Sequence, residues 1–387
     1  MRLPVLHRNT YRRLYTLSLF FALAAAPLLS ACGKTEPSEK TWIEINGKVF
    51  GCISDSTGPI GGGQGYARAI VDGEYSADTI QELTECLRVA KPAEIVYIPG
   101  DVELDFTSLV STEGFVLHIP CGVTLASNRG ICGSPGALLK SDAFQTLPLI
   151  QADGPGVRIT GLRIQGPDPE RRLEHWKRSF SIWFKEERGH LTKHQYFYQF
   201  PFDRGVSTEF DDLEIDNCEL SGWSHAAVFL ANGEGHHVHH NYIHHNQRHG
   251  LGYGVSHKTA FSLIEYNLFA WNRHSIAGTG SPPSGYIARH NVVFGQSLSH
   301  DFDMHGGRDR KDGTTIAGSR IEIFNNTFLG KERAIGIRGR PQEYARIHRN
   351  WFAKHLAPGF CVIIDWPAAD TVEFKENLYG TSFPSVQ

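Results

Sequence analysis

Ile264-Glu265-Tyr266-Asn267-Leu268-Phe269 decides the fold, because its outline, Ile-x-x-Asn-x-Phe, returns throughout the second half of the chain. It recurs at Val238…Asn241…Ile243, Ala288…Asn291…Val293, Ile323…Asn326…Phe328, Ile347…Asn350…Phe352 and Phe374…Asn377…Tyr379. Ile215…Cys218…Leu220 and Ile159…Leu162…Ile164 fit as earlier members. Counted from Cys218, the Asn position advances by 23, 26, 24, 35, 24 and 27 residues. A unit of that length, holding short strands and no helix, buries its apolar side chains only by stacking on its neighbours. The expected fold is therefore all-β, a right-handed parallel β-helix. Asn side chains stacked at one turn hydrogen-bond along the stack, which accounts for a polar residue at a fixed, buried position.

Outward from the repeat, the N-terminal part supplies a lid for the solenoid. Asp78-Thr79-Ile80-Gln81 carries a helix-start pattern, and Ile80, Leu83, Leu87 and Ala90 then recur at helical spacing. One capping helix over about residues 79–90 follows. The glycine run at 61–65 lacks the strand–turn–helix setting and the Lys-Ser/Thr of a phosphate loop, and reads as a tight turn. Residues 166–212 break the rhythm as an insertion rich in aromatics, among them Trp176, Trp183, Tyr196 and Phe202. They either pack on the solenoid wall or form a sugar-stacking lid. A second, charged loop at 306–318 includes Arg308 and is placed to close over a ligand.

With 387 residues and a formal net charge of −3, nothing marks the chain as a nucleic-acid binder, and a monomer is expected. Residues 1–31 read as a targeting segment, with a basic leader (Arg2, Arg8, Arg12, Arg13) and an apolar run from Leu14 to Leu29. Leu29-Ser30-Ala31-Cys32 resembles the bacterial lipobox, which implies cleavage before Cys32 and lipid on its sulfur, and Gly33 rather than Asp after the cysteine implies, in Gram-negative lipoproteins of this kind, sorting to the outer membrane. Residues 32–41 are then a polar tether and 42–387 one solenoid domain. Of the remaining cysteines, Cys52 with Cys86 and Cys121 with Cys132 are the first disulfide pairings to test, whereas Cys218 and Cys361 read as buried thiols.

The chemistry is sought on the strand after each Asn turn. Aligning His225-Ala-Ala-Val, His249-Gly-Leu-Gly, His274-Ser-Ile-Ala, His300-Asp-Phe-Asp and Arg333-Ala-Ile-Gly puts Ala227, Leu251, Ile276, Phe302 and Ile335 in an apolar, inward column. Alternate residues then face out. Asp301 and Asp303 stand out there among small neighbours. One step further, His305 lies between Thr279 and Arg338 on adjacent rungs. His225, His249, His274 and His300 form an expected ladder that either lines a cleft or stacks as a turn element, with Tyr253 nearby. The competing readings are a cation such as Ca2+ held by Asp301 and Asp303, or a plain Asp303–Arg338 salt bridge. A second histidine group, His236, His237, His239, His240, His244 and His245, matches no closed metal-site spacing.

Two resemblances bear on function. The glycine-rich turn, helix, strand and Ile98-Pro99-Gly100-Asp101-Val102-Glu103-Leu104-Asp105 together resemble the opening of pectate lyases, where such a helix caps a parallel β-helix. Phe302-Asp303-Met304-His305 resembles the Asp-Pro-His element of mannuronan C5-epimerases, with Met304 in place of proline and His300 in place of tyrosine. The Arg-Pro-x-x-Arg pattern of family 1 pectate lyases is absent. These resemblances imply an enzyme acting on an acidic polysaccharide by β-elimination or C5 epimerisation. Arg338 would neutralise the uronate carboxylate, His305 act as base, Asp303 orient it, and His300 or Tyr253 protonate the leaving oxygen, while His225, His249, His274, Thr279 and Arg308 contact substrate. A glycoside hydrolase dividing acid and base roles between Asp301 and Asp303 is the enzymatic alternative, since i and i+2 carboxylates lie roughly 5.5–7 Å apart. A non-catalytic glycan-binding solenoid is the other.

Overall fold

Each unit of the repeat folds into short strands that pair in parallel with the units on either side. The computed structural model describes residues 40–167, 174, 200–364 and 371–380, and there the solenoid strands fall into three ladders, beside one antiparallel hairpin of Trp42–Ile45 and Lys48–Gly51. One ladder runs through Arg158–Thr160, Glu214–Asp216, Gly285–Arg289, Arg320–Phe324 and Tyr344–His348. After the Asn turn, a second runs through Glu219–Ser221, Tyr242–His244, Leu268–Ala270 and Val292–Val293 to Leu378–Tyr379. The third holds Ile150–Ala152, Arg204–Thr208, His274–Gly278, Phe302–Met304 and Ile335–Ile337. Two long strands, Ala226–His239 and Tyr253–Glu265, continue around a corner and belong to both the first and the third. This is the right-handed parallel β-helix expected from the repeat, lying within one unit, Lys40–Gln387. Among the described residues no helix is long and apolar enough to cross a membrane.

The Asn positions build a continuous hydrogen-bonded column. From Asn241 to Asn350, the backbone N–H and Nδ2 of each Asn donate to Oδ1 of the next, at 3.0–3.1 Å. Nδ2 also donates to a carbonyl of the preceding coil, as Asn291 does to Ile264 O. The residue before each one (His240, Tyr266, His290, Asn325, Arg349, Glu376) has a positive φ of 51–54°. A left-handed non-glycine residue costs on the order of 1 kcal/mol, and the saturated ladder offsets it. A second, shorter column at another corner joins Asn246 to Asn272.

The capping helix spans Ile80–Val89 and buries Leu83 and Leu87 over the first coils. Its N-cap is Thr79, whose Oγ1 accepts from the Glu82 N–H, while Glu82 accepts from the Asp78 N–H. The glycine run is a turn: Gly61, Gly62, Gly63 and Gly65 all have positive φ, and a side chain on Gly62 would meet the His240 carbonyl at 2.3 Å.

Three expectations are corrected. All six described cysteines are free thiols, so neither Cys52–Cys86 nor Cys121–Cys132 forms. Cys52 packs beside Thr327 and His290 on late coils, whereas Cys86 rides the N-terminal cap, so closeness in sequence is not closeness in space. Cys218 and Cys361 are buried, as read. The insertion ends sooner than residue 212, because Arg204–Thr208 is a regular rung between Ile150–Ala152 and the long strand Ala226–His239. Cys32, the leader and the aromatics Trp176, Trp183 and Tyr196 lie outside the described residues.

Candidate active site

Phe302 anchors the site from below. Its ring points into the solenoid against Phe269 and Phe328, at 6.3 and 5.0 Å between centroids, and fixes the facing of Asp303. The rung register around it is as aligned: Ile276, Phe302 and Ile335 share one column, and Ala277, Asp303 and Gly336 the next. His305 continues from Gly278 and Arg338 from Met304, through backbone bonds of 2.9 Å. The imidazole and the guanidinium therefore arrive on adjacent rungs.

Asp303 sits at the centre. Arg338 grips it with two bonds, Nε to Oδ1 at 3.0 Å and Nη2 to Oδ2 at 2.6 Å. His305 Nε2 is 3.0 Å from Oδ2, His300 Nδ1 3.4 Å from Oδ1, and His274 Nε2 3.8 Å from Oδ2. These groups roof the carboxylate completely, leaving it 0% exposed, while the side chains of His305, Arg338 and His300 keep 25%, 22% and 18% of their surface. Burial alone would raise the Asp303 pKa, but the positive and donor groups packed round it, His305 among them, hold it well below the carboxylate range. Burial likewise opposes the Arg338 charge, and Asp303 outweighs it. The salt bridge weighed from sequence is thus present, and it is the framework on which His305 is mounted. Gly336 makes room for the cluster, since a Cβ there would approach His300 Nδ1 at 3.1 Å and Asp303 Oδ1 at 3.2 Å.

Asp301 does not join this group. In its column, Ala334 on the adjacent rung and Ala227 three rungs away are core residues, as are the residues that follow them, Ile335 and Val228. Two successive side chains face inward where the coil turns into this ladder, so strict alternation fails at Asp301. Its carboxyl accepts from Ser297 Oγ inside the wall, and burial pushes its pKa well above the usual range. Asp301 and Asp303 therefore present no shared face to a Ca2+ ion or to a sugar.

The histidine ladder is also rebuilt. Tyr253, not His249, pairs with His274, and Ala226 pairs with Tyr253, so the inward column is Val228, Val255 and Ile276 in place of Ala227 and Leu251. The turn closed by the Arg248–Leu251 bridge displaces the strand by four residues and leaves His249 in the turn, partly exposed. The ring stack reads Tyr253, His274, His300, with centroids 5.6 Å apart and planes within 11° and 4°. His225 meets Tyr253 edge-on at 5.8 Å and contacts Arg204 Nε through Nδ1 at 2.6 Å; burial, then Arg204, push its pKa well below 6.5. The β-branched residues were the available signal: Val206, Val228, Val255 and Ile276 mark the true core column.

The other sequence-derived residues lie around the rim. Tyr253 donates its hydroxyl to the Gly250 carbonyl and is 6% exposed. Thr279 turns its hydroxyl onto the Lys258 carbonyl, and Arg308 is exposed on the single turn Gly307–Arg310. The adjacent Asp309 approaches Arg338 Nη1 at 3.3 Å, and Arg310 donates to the Thr279 carbonyl. From sequence, both fall in the charged loop 306–318 and neither is assigned to the site.

Two groups among the described residues bring three candidate metal-donor atoms within 4.8 Å of one another: Glu214, His237 and His239, and His274, His300 and Asp303. In the first every side chain is engaged, Glu214 with Arg68 and His239, and His237 with Glu265. Of the other histidines nearby, His240 faces Asp55 and His244 faces Glu219.

No family model matches this chain, and no curated protein does. Among solved structures, an alginate lyase from Paenibacillus sp. FPU-7 is similar at 14% identity and a TM-score of 0.49, over 79% of this chain and 94% of that one. A family 28 exopolygalacturonase from Yersinia enterocolitica is similar at 13% identity and a TM-score of 0.44, over 81% of this chain and 64% of that one. The Dettilon tailspike protein is similar at 12% and 0.37, over 70% and 48%. The chemistry of this face is therefore read from its side chains.

Proposed function

We propose that the chain is an enzyme that removes the C5 proton of a uronate residue in an acidic polysaccharide, leading to β-elimination or epimerisation. One observation carries this reading: the buried, ionised Asp303 holds an imidazole and a guanidinium side by side at the surface, with His305 Nε2 at 3.0 Å and Arg338 Nη2 at 2.6 Å. An anion at Nε2 favours the tautomer with the proton there, which leaves Nδ1 of His305 as the base. Removing a proton beside a carboxylate builds a second negative charge, and Arg338 on the adjacent rung is placed to offset it. His300, 18% exposed in its side chain, supplies the acid for a leaving oxygen more readily than Tyr253, whose hydroxyl is committed to Gly250. In the same proposal the enzyme works at the outer membrane, tethered through lipid on Cys32; labelled palmitate should enter the wild type and not Cys32→Ser.

The test is incubation with a panel of uronate and neutral glycans. β-Elimination yields unsaturated uronate absorbing in the ultraviolet, and epimerisation yields solvent deuterium at C5. His305→Gln should lower either signal at least about 100-fold with circular dichroism unchanged. New reducing ends without unsaturation or exchange would assign hydrolysis instead and end this reading, as would full activity in the variant.

A further inference from the structure

His274 is the least explained side chain on this face. It is 0% exposed, and its Nδ1 lies against the His300 carbonyl, so the N–H donates there and Nε2 carries a lone pair. That Nε2 has no hydrogen-bond partner and looks across 3.8 Å at a carboxylate oxygen of Asp303. Two acceptors thus confront each other in a dry site, which costs free energy unless a cation lies between them. Protonation of His274 answers this poorly, because 3.8 Å is too long for a hydrogen bond. His300 repeats the pattern one rung on: its Nδ1 is buried, without a hydrogen-bond partner, and 3.4 Å from the other Asp303 oxygen.

We propose that His274 Nε2, His300 Nδ1 and the Asp303 carboxylate bind one first-row transition-metal ion of the Zn2+ class. Donors at ~2.0–2.1 Å from a tetrahedral ion stand roughly 3.3 Å from one another. His300 Nδ1 is 3.4 Å from one carboxylate oxygen and His274 Nε2 3.8 Å from the other, and one donor atom from each residue lies within 4.8 Å of the other two, so binding draws the three together. Two imidazole nitrogens and one carboxylate suit Zn2+, whereas Ca2+ and Mg2+ take oxygen. The backbone carbonyl that fixes the His274 tautomer is the usual support of a metal-binding histidine. Arg338 and His305 share the same two carboxylate oxygens, at 2.6–3.0 Å, and three protein donors leave a coordination position. This inference concerns the same face as the proposed reaction but is read without substrate, so either can fail alone.

The experiment is titration of the chelator-stripped full chain with Zn2+ alone, followed by calorimetry and by metal analysis after desalting, with Co2+ absorption as a second probe. The expected result is one Zn2+ per chain, not displaced by excess Ca2+, with tetrahedral Co2+ bands. His274→Gln should weaken Zn2+ binding by more than the roughly 10–100-fold that loss of an outer-sphere partner costs. His300→Gln serves the same end should His274→Gln fail to fold, and a His237→Gln/His239→Gln double variant should bind normally. Absence of binding, binding unchanged in the His274 and His300 variants, or binding lost only in the His237/His239 variant would overturn the proposal.

Discussion

Asp303 is charged although sealed from solvent, and its neighbours at 2.6–3.8 Å explain why. Removing one member of such a cluster leaves another buried charge uncompensated, so variants that keep shape are the informative ones. Asp301 offers the contrast. It faces the wall interior and is held towards its neutral form, so Asp301→Asn should keep turnover within a few-fold and melt close to the wild type. A loss of about 100-fold would put Asp301 in the reaction and revive the hydrolase. Gly336→Ala tests the fit of the floor: a methyl 3.1–3.2 Å from His300 and Asp303 should displace both by a few tenths of an ångström and lower kcat/KM roughly tenfold, with little change in melting temperature. At this scale the sequence was readable in part. Asp303, His305 and Arg338 were found because a polar triplet among small residues has no packing explanation. Asp301 was misread because its facing depends on a corner that alternation does not describe.

The elements are held in register mainly by the Asn column. Asn291 Oδ1 accepts from both nitrogens of Asn267, and its Nδ2 donates to Ile264 O. Asn291→Ala would strand at least two buried donors and one acceptor, at about 1–3 kcal/mol each. A loss of at least about 3 kcal/mol in denaturant unfolding is expected, and a loss under 1 kcal/mol would show that the stacked strands hold register without it. The repeat was legible because a buried Asn at fixed spacing has one good physical use. The third ladder was less so, since the turn at Arg248–Leu251 adds residues between the Asn and its strand, and only Val255 betrays the shift. The disulfide expectation failed for a related reason: a segment from the N-terminal end runs back along late coils, as the Cys52 contact with His290 shows, and no local spacing records that path.

Across the whole molecule, many imidazoles are enclosed by the stacked coils and are kept neutral by burial. His257 is pushed down to about 4, and His225, His236 and His290 are lowered as well, burial being the largest cause each time. In the unfolded chain these groups titrate near 6.5, so between pH ~6.5 and ~4 the unfolded state takes up protons that the folded state refuses, and stability falls with pH. His257 alone contributes on the order of 3 kcal/mol to that loss. Melting temperatures should therefore decline steadily from pH 7 to pH 4, and a flat profile over that interval would contradict the burial described here. The same enclosure bears on the rim, where His240, Tyr266 and His290 adopt left-handed torsions that glycine would accept more easily. Their rings instead lie face to face, 4.9 and 5.1 Å apart. Glycine at these sites would ease the backbone and erase an aromatic pillar outside the tube, so relaxing the torsion and retaining the pillar pull evolution in opposite directions.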